Sequence, residues 1–79
     1  MPRFFFHLRN DVHVADEEGS EFPDLESAGR RAVDYALDMS AASILENRRV
    51  TLSHSIEVED ESGRIVKTVR FGEAFTIHD

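Results

Sequence analysis

Residues 23–47 form the longest periodic stretch of the chain, and this stretch constrains the fold more than any other feature. Its apolar residues recur at helical spacing along one broad side, while charged residues gather on the opposite side. Asp24 can accept hydrogen bonds from the first free amides of a helix, and Asn47 can end the helix in left-handed geometry. We therefore predict one amphipathic helix that lies on a core. The residues on its apolar side are Leu25, Ala28, Ala32, Val33, Tyr35, Ala36, Leu37, Met39 and Ile44.

The centre of this apolar side consists of small residues. They are Ala28, Gly29, Ala32, Ala36, Ser40 and Ser43. Glycine is a poor helix former and destabilises a helix by up to about 1 kcal/mol relative to alanine. We therefore expect close contact at Gly29 between the helix and a sheet that carries bulky Phe and Ile side chains.

Two arms with alternating apolar and polar residues flank the helix. The first arm predicts strands at residues 3–9 and 12–15, and the second predicts strands at residues 55–60 and 64–71. The predicted order is β-β-α-β-β. The simplest packing of these parts is an α+β fold in which one helix covers one face of a four-stranded, mainly antiparallel sheet.

With 79 residues the chain is expected to form one domain, residues 1–79. We expect its tail, residues 72–79, to fold Phe75 and Ile77 back onto the core.

The register of the first hairpin can be argued from burial. A two-residue loop would mix apolar and polar side chains on each face, whereas a three-residue loop at residues 9–11 keeps one face apolar. The longer loop places Leu8 opposite Val12, and it places His7 opposite His13 on the other face. We predict this second register.

The chain carries a formal net charge of −7 and contains no cysteine. An acidic surface repels nucleic acid and anionic membranes. The missing cysteines exclude disulfides, and small domains without such support commonly rely on oligomerisation. No leader-like or membrane-spanning apolar run is present in the sequence. We expect a soluble, cytoplasmic homodimer with no membrane partner and little affinity for nucleic acid.

Three motifs occur together in this order along the chain. They are the opening at residues 1–7, the acidic turn at residues 16–19 that leads into residues 21–25, and the late hairpin at residues 56–64. In this combination the chain resembles a family of short bacterial proteins that is known only as a domain of unknown function. The resemblance implies the β-β-α-β-β fold and brings no catalytic residues with it.

His7 and His13 are the candidate metal ligands. In the predicted register the two imidazoles face each other across the hairpin, at a spacing that could share a transition metal. A third ligand would have to come from Glu57, Glu59 or a second copy of the chain. The simpler interpretation is a pair of partly exposed strand residues, and we expect no metal and no other cofactor.

Two arginine pairs are candidates for an anion-binding patch. They are Arg30 with Arg31 on the helix, and Arg48 with Arg49 after its end. Acidic neighbours dilute this charge, and no exposed aromatic residues are interleaved as single-strand binders require. Solvated helix charge is the simpler interpretation.

The sequence carries no catalytic motif. His54 lies between two serines, but no nucleophile elbow and no phosphate-binding loop are present. The acidic clusters lack the alternating pattern of a calcium loop. We therefore expect the protein not to be an enzyme.

The resulting functional prediction is a small protein-interaction module, most simply a homodimer, with a further protein partner of unknown identity possible in principle. The predicted interaction face is the sheet face that the helix leaves uncovered, with Phe5, His7, His13 and Ala15. The alternative is a small regulatory protein, similar to an antitoxin, with a role linked to nucleic acid; this rests on fold analogy alone.

Overall fold

The computed structural model describes residues 1–78, and in this range an antiparallel sheet of five strands packs against one helix. The expected α+β architecture is confirmed, with one strand more than predicted. The elements are β1 (Arg3–Arg9), β2 (His13–Val14), β3 (Ser20–Glu21), α1 (Leu25–Asn47), β4 (Ser55–Glu59) and β5 (Ile65–Arg70), followed by a 3-10 turn at Phe71–Glu73.

Strand β1 lies inside the sheet, and its Phe4, Phe6 and Leu8 are buried on the sheet face that the helix covers. Strand β4 pairs with one edge of β1, and β5 pairs with β4. The side chains of Ile56 and Val58 on β4 are fully buried. Alternating burial along β1 and β4 reflects the two-residue period that the sequence displays.

The other edge of β1 pairs with two short strands in place of one. Arg9 pairs with His13 in β2, and Phe4 pairs with Ser20 in β3. Residues 15–19 therefore stand opposite residues 5–7, and the two extra residues force this edge to bulge. From the sequence, residues 16–19 were assigned to an acidic turn and no strand was predicted between residue 15 and the helix, so β3 was missed.

The predicted register of the first hairpin is wrong by two residues. Leu8 pairs with Val14 and not with Val12, and the loop comprises residues 10–12. The Asn10 side chain accepts a hydrogen bond from the Val12 amide at 2.9 Å, which stabilises the later turn. A shift of two residues preserves the alternation of faces, so the apolar pattern could not distinguish the two registers.

The helix begins as predicted and ends one residue later than predicted. Asp24 is extended and accepts a hydrogen bond from the Ser27 amide at 2.8 Å. Asn47 is still helical, and Arg48 takes the left-handed conformation with φ of 58°. The amide of Arg48 donates to the Ile44 carbonyl at 2.8 Å.

The small-residue centre of the helix is confirmed as the surface that faces the sheet. Its buried members are Ala28, Gly29, Ala32, Ala36 and Ser40. A Cβ atom built on Gly29 would lie 3.1 Å from the Lys67 side chain on β5, so the closest approach is to the aliphatic stem of a lysine.

The end of the chain departs from expectation. Phe71 is buried and Phe75 is partly buried, but Ile77 is 71% exposed and does not return to the core. The last position of the predicted tail, residue 79, lies outside the described residues.

Candidate functional site

The sheet face away from the helix carries the predicted interaction residues, and it is polar and internally bonded. The ring of His7 lies between two partners from different parts of the chain. Its Nδ1 accepts a hydrogen bond from the Asp16 amide at 3.0 Å, and its Nε2 lies 2.8 Å from Oε1 of Glu59. Because a backbone amide can only donate, Nδ1 carries no proton and Nε2–H donates to the carboxylate. The network assigns the tautomer of His7.

This network bears directly on the candidate metal site. A metal needs an unprotonated ring nitrogen with a free lone pair. In His7 one nitrogen already accepts a hydrogen bond and the other donates one. His13 does not face His7 directly, because it pairs with Arg9, and the two rings meet edge to face with centroids 6.0 Å apart. Among residues 1–78, no group of three potential ligands is placed to hold a metal ion.

Asp16 organises the bulged edge, a role that the sequence interpretation missed. One oxygen accepts from the Phe6 amide at 3.1 Å, where the interrupted edge leaves β1 without a backbone partner. The other accepts from the amides of Glu18 and Gly19 at 3.2 and 3.0 Å. Burial raises the pKa of Asp16, but the hydrogen bonds from Gly19, Phe6 and Glu18 outweigh it and leave the pKa lowered. The sequence feature that could have predicted this role is an aspartate three residues before a glycine in a turn.

Gly19 closes the bulge over the aromatic residue of this face. It has φ of +70°, and a Cβ at this position would lie 2.8 Å from both the Phe4 carbonyl oxygen and the Phe5 ring. The ring of Phe5 is therefore partly covered by the chain's own edge, while His13 and Ala15 are exposed. The four predicted interaction residues do not form a continuous apolar surface.

The edges of the sheet also carry features that hinder pairing with a strand of another chain. The amide of Phe71 donates to the His54 carbonyl at 2.7 Å, so the preceding amide, that of Arg70, points away from β4. The carboxylate of Glu73 accepts this outward amide at 2.7 Å. A register shift between Val58 and Glu59 further distorts the pairing. Charges, bulges and short strands are the devices by which proteins discourage pairing with another chain.

The structure does not bring the two arginine pairs together. Arg30 and Arg48 are separated by 18 positions along the helix, or about 27 Å of helix axis. The Arg30 guanidinium lies 3.1 Å from the Glu26 carboxylate. Arg31 stacks over the Tyr35 ring at 5.4 Å. Arg49 lies at the other end of the molecule and accepts, at its carbonyl, a 2.6 Å hydrogen bond from the Ser43 hydroxyl.

His54 lies in a cleft of about 220 Å³ between the first hairpin and the end of the helix. Its Nε2 is 3.5 Å from the Asp11 carboxylate, and its ring meets the Phe71 ring edge to face at 5.7 Å. These contacts connect the first loop to the turn after β5, which is a packing role.

A group of exposed apolar side chains lies on the outer side of the helix. Leu37, Ile44 and Leu45 are 43, 46 and 84% exposed, and the small Ala41 lies between them. We call these four residues the outer stripe. The placement of Leu37 and Ile44 in the core was therefore wrong. The sequence feature that could have indicated this is the adjacent pair Ile44 and Leu45. Neighbouring residues on a helix point in directions about 100° apart, so both cannot face the sheet directly.

The outer stripe is exposed because its residues point away from the sheet. Ala36 and Ser40 are buried on the side of the helix that faces the sheet. Leu37 and Ala41 each follow one of them by one position, and successive residues on a helix point about 100° apart. These apolar side chains therefore lie outside the contact between helix and sheet.

Comparison with known proteins identifies the chain at the family level. No helix among residues 1–78 is both long enough and apolar enough to span a membrane. Neither a curated protein nor a solved structure matches the chain. A family model does match, over residues 3–72, which is most of the chain. The chain belongs to DUF6894, a family described as a domain of unknown function.

Proposed function

We propose that this chain is a non-enzymatic protein-interaction module that works as a homodimer. The observation that supports this best is the outer stripe, in which Leu45 is 84% exposed. Apolar side chains at helical spacing on a solvent-facing surface are a common contact surface between proteins. A small domain with no disulfide also gains stability when association buries such a surface.

The open sheet face is a less favourable contact surface for a partner than the outer side of the helix. On its open face, His7 is bonded to Glu59 and to the Asp16 amide, and Arg9 lies 3.7 Å from Glu57. A partner on this face would have to replace hydrogen bonds that already exist, with little net gain. The outer stripe consists of Leu, Ile and Ala side chains, which have no hydrogen-bonding groups that would lose a partner on burial.

Light scattering tests the homodimer. At about 100 µM, a concentration that detects weak self-association, we expect twice the mass of one chain. Leu45→Glu should reduce the mass to that of a monomer, because a carboxylate in an apolar contact is strongly disfavoured. Ile77→Glu is the matched control, since Ile77 is 71% exposed and lies outside the outer stripe. A monomer mass for the unmodified protein would contradict the proposal.

The regulatory alternative with a nucleic-acid-linked role ranks second. Its best candidates, Arg30 and Arg31, already interact with Glu26 and Tyr35 on the same helix. Retention of RNA or DNA by the purified protein on a filter at low salt would reverse this ranking.

A further inference from the structure

We infer that the outer stripe binds the same stripe of a second copy, with the two helices antiparallel and the two-fold axis at Ala41. This inference rests on the proposed function and adds the contact surface, the orientation and the residues that meet. Two-fold symmetry requires a surface that is complementary to itself.

The spacing of residues around Ala41 meets this requirement. In an antiparallel pair centred on Ala41, a residue before Ala41 faces the partner residue that lies equally far after it. Leu37 and Leu45 are each four positions from Ala41, so Leu37 faces the partner's Leu45. Symmetry repeats this contact on the other side of the axis. The small side chain of Ala41 lets the two helices approach closely at the centre.

The charges at the ends of the stripe agree with the same arrangement. Asp34 and Arg48 are each seven positions from Ala41, so Asp34 faces the partner's Arg48. Within residues 1–78, neither side chain has an ion-pair partner in its own chain. Ile44 and the partner's Asp38 meet at the rim, where the carboxylate stays in water.

The parallel arrangement is disfavoured by these charges. It would place Asp34 beside the partner's Asp34 and Arg48 beside the partner's Arg48, and like charges at such distances repel. The chain already carries a net charge of −7, so two copies repel each other in most orientations. The antiparallel pairing centred on Ala41 forms two opposite-charge contacts, which offset part of this repulsion.

Cysteine cross-linking tests the position of the axis. The chain contains no cysteine, so a single introduced thiol can only react with its own copy. We expect Ala41→Cys to form a disulfide-linked dimer under mild oxidation, because the two residues meet at the axis. Ser27→Cys is the control: its two copies would lie about 42 Å apart along the helices and could not be bridged.

Charge reversal tests the orientation independently. Asp34→Arg alone and Arg48→Asp alone should each weaken dimerisation about tenfold, through two lost attractions and two new repulsions. The chain that carries both changes should recover the affinity of the unmodified protein, because the pairs are restored with exchanged signs.

The outcomes separate this inference from the proposed function. A dimer mass with no Ala41→Cys cross-link above the Ser27→Cys level overturns the antiparallel arrangement and leaves the homodimer standing. Equal dimerisation affinities for the single and double charge variants would likewise overturn the antiparallel arrangement and leave the homodimer standing. A monomer mass for the unmodified protein overturns both.

Discussion

The two outward surfaces of this molecule differ in how far their groups are satisfied within one chain. The open sheet face is polar, and its main side chains already have hydrogen-bond partners in the chain: His7 has the Glu59 carboxylate, and Asp16 has the backbone amide of Phe6. The outer face of the helix carries Leu45 and Ile44, whose apolar surface contacts water. An uncovered surface of this molecule is therefore a candidate contact site only where its groups lack partners within the chain.

The largest expected effect comes from breaking the sheet face at Gly19. Gly19→Ala should destabilise the protein by about 3 kcal/mol, because left-handed backbone disfavours a side chain by ~1–2 kcal/mol and overpacking against Phe5 adds ~1–3 kcal/mol. Gly63→Ala is the matched control: Gly63 has φ of +86°, but the nearest atom to its Cβ would be 4.0 Å away. Urea unfolding of both variants measures the difference, and equal losses would contradict the proposed closure of the bulge.

Asp16→Ala should have the next largest effect, about 2 kcal/mol, because it leaves the Phe6 and Gly19 amides without their acceptor. Asp16→Asn keeps one acceptor oxygen and should lose less.

The stability that Asp16 supplies should also depend on pH. Hydrogen bonds lower the pKa of Asp16 in the folded protein below the value of about 3.9 for a free aspartate. The unfolded chain therefore binds the proton more readily, so the stabilisation is present in full above about pH 4 and is lost as the pH falls through the folded pKa. Between pH 6 and pH 3, the urea midpoint should fall less for Asp16→Asn than for the unmodified protein. An identical fall in both proteins would exclude Asp16 as a source of this pH dependence.

Arg48→Gly should separate folding from association on the helix surface. The left-handed conformation of Arg48 suits glycine, so the monomer should become about 0.5–1 kcal/mol more stable to urea at low protein concentration. The same change removes the charge that we place against the partner's Asp34, so the dimer should weaken. A variant that gains stability and keeps its dimer affinity would contradict the role of Arg48 at the interface.

Leu45→Ser should have the smallest effect on folding. At concentrations where the chain is monomeric, its free energy of unfolding should change by less than about 0.5 kcal/mol, because Leu45 is 84% exposed. A loss of 2 kcal/mol or more would show that Leu45 supports its own chain, and the outer stripe would no longer contrast with the sheet face.

Local features of the fold were predictable because neighbouring residues determine them. Asp24 is followed by the free amides that it caps, and the small residues that face the sheet repeat with the period of the helix itself. The alternation in β1 and β4 likewise identified which side chains are buried.

The candidate site was less predictable, and particular residues explain why. His7 was correctly assigned to the open sheet face, but its partners Glu59 and Asp16 lie 52 and 9 positions away. No spacing rule connects residues at such separations. The prediction of the hairpin register failed for a related reason, since Val14 and Val12 would each place an equally apolar residue opposite Leu8.

The helix, its Asp24 cap, its small-residue centre and the faces of the main strands follow from the sequence, because these features depend on contacts within a few positions of the chain. Three other features emerge only when distant parts of the chain pack together: Asp16 completes the edge of β1, Gly19 covers Phe5, and Leu45 remains exposed. Leu45 remains exposed because of its direction: it follows the buried Ser40 by five positions and so points about 140° away from it, on the side of the helix opposite the sheet.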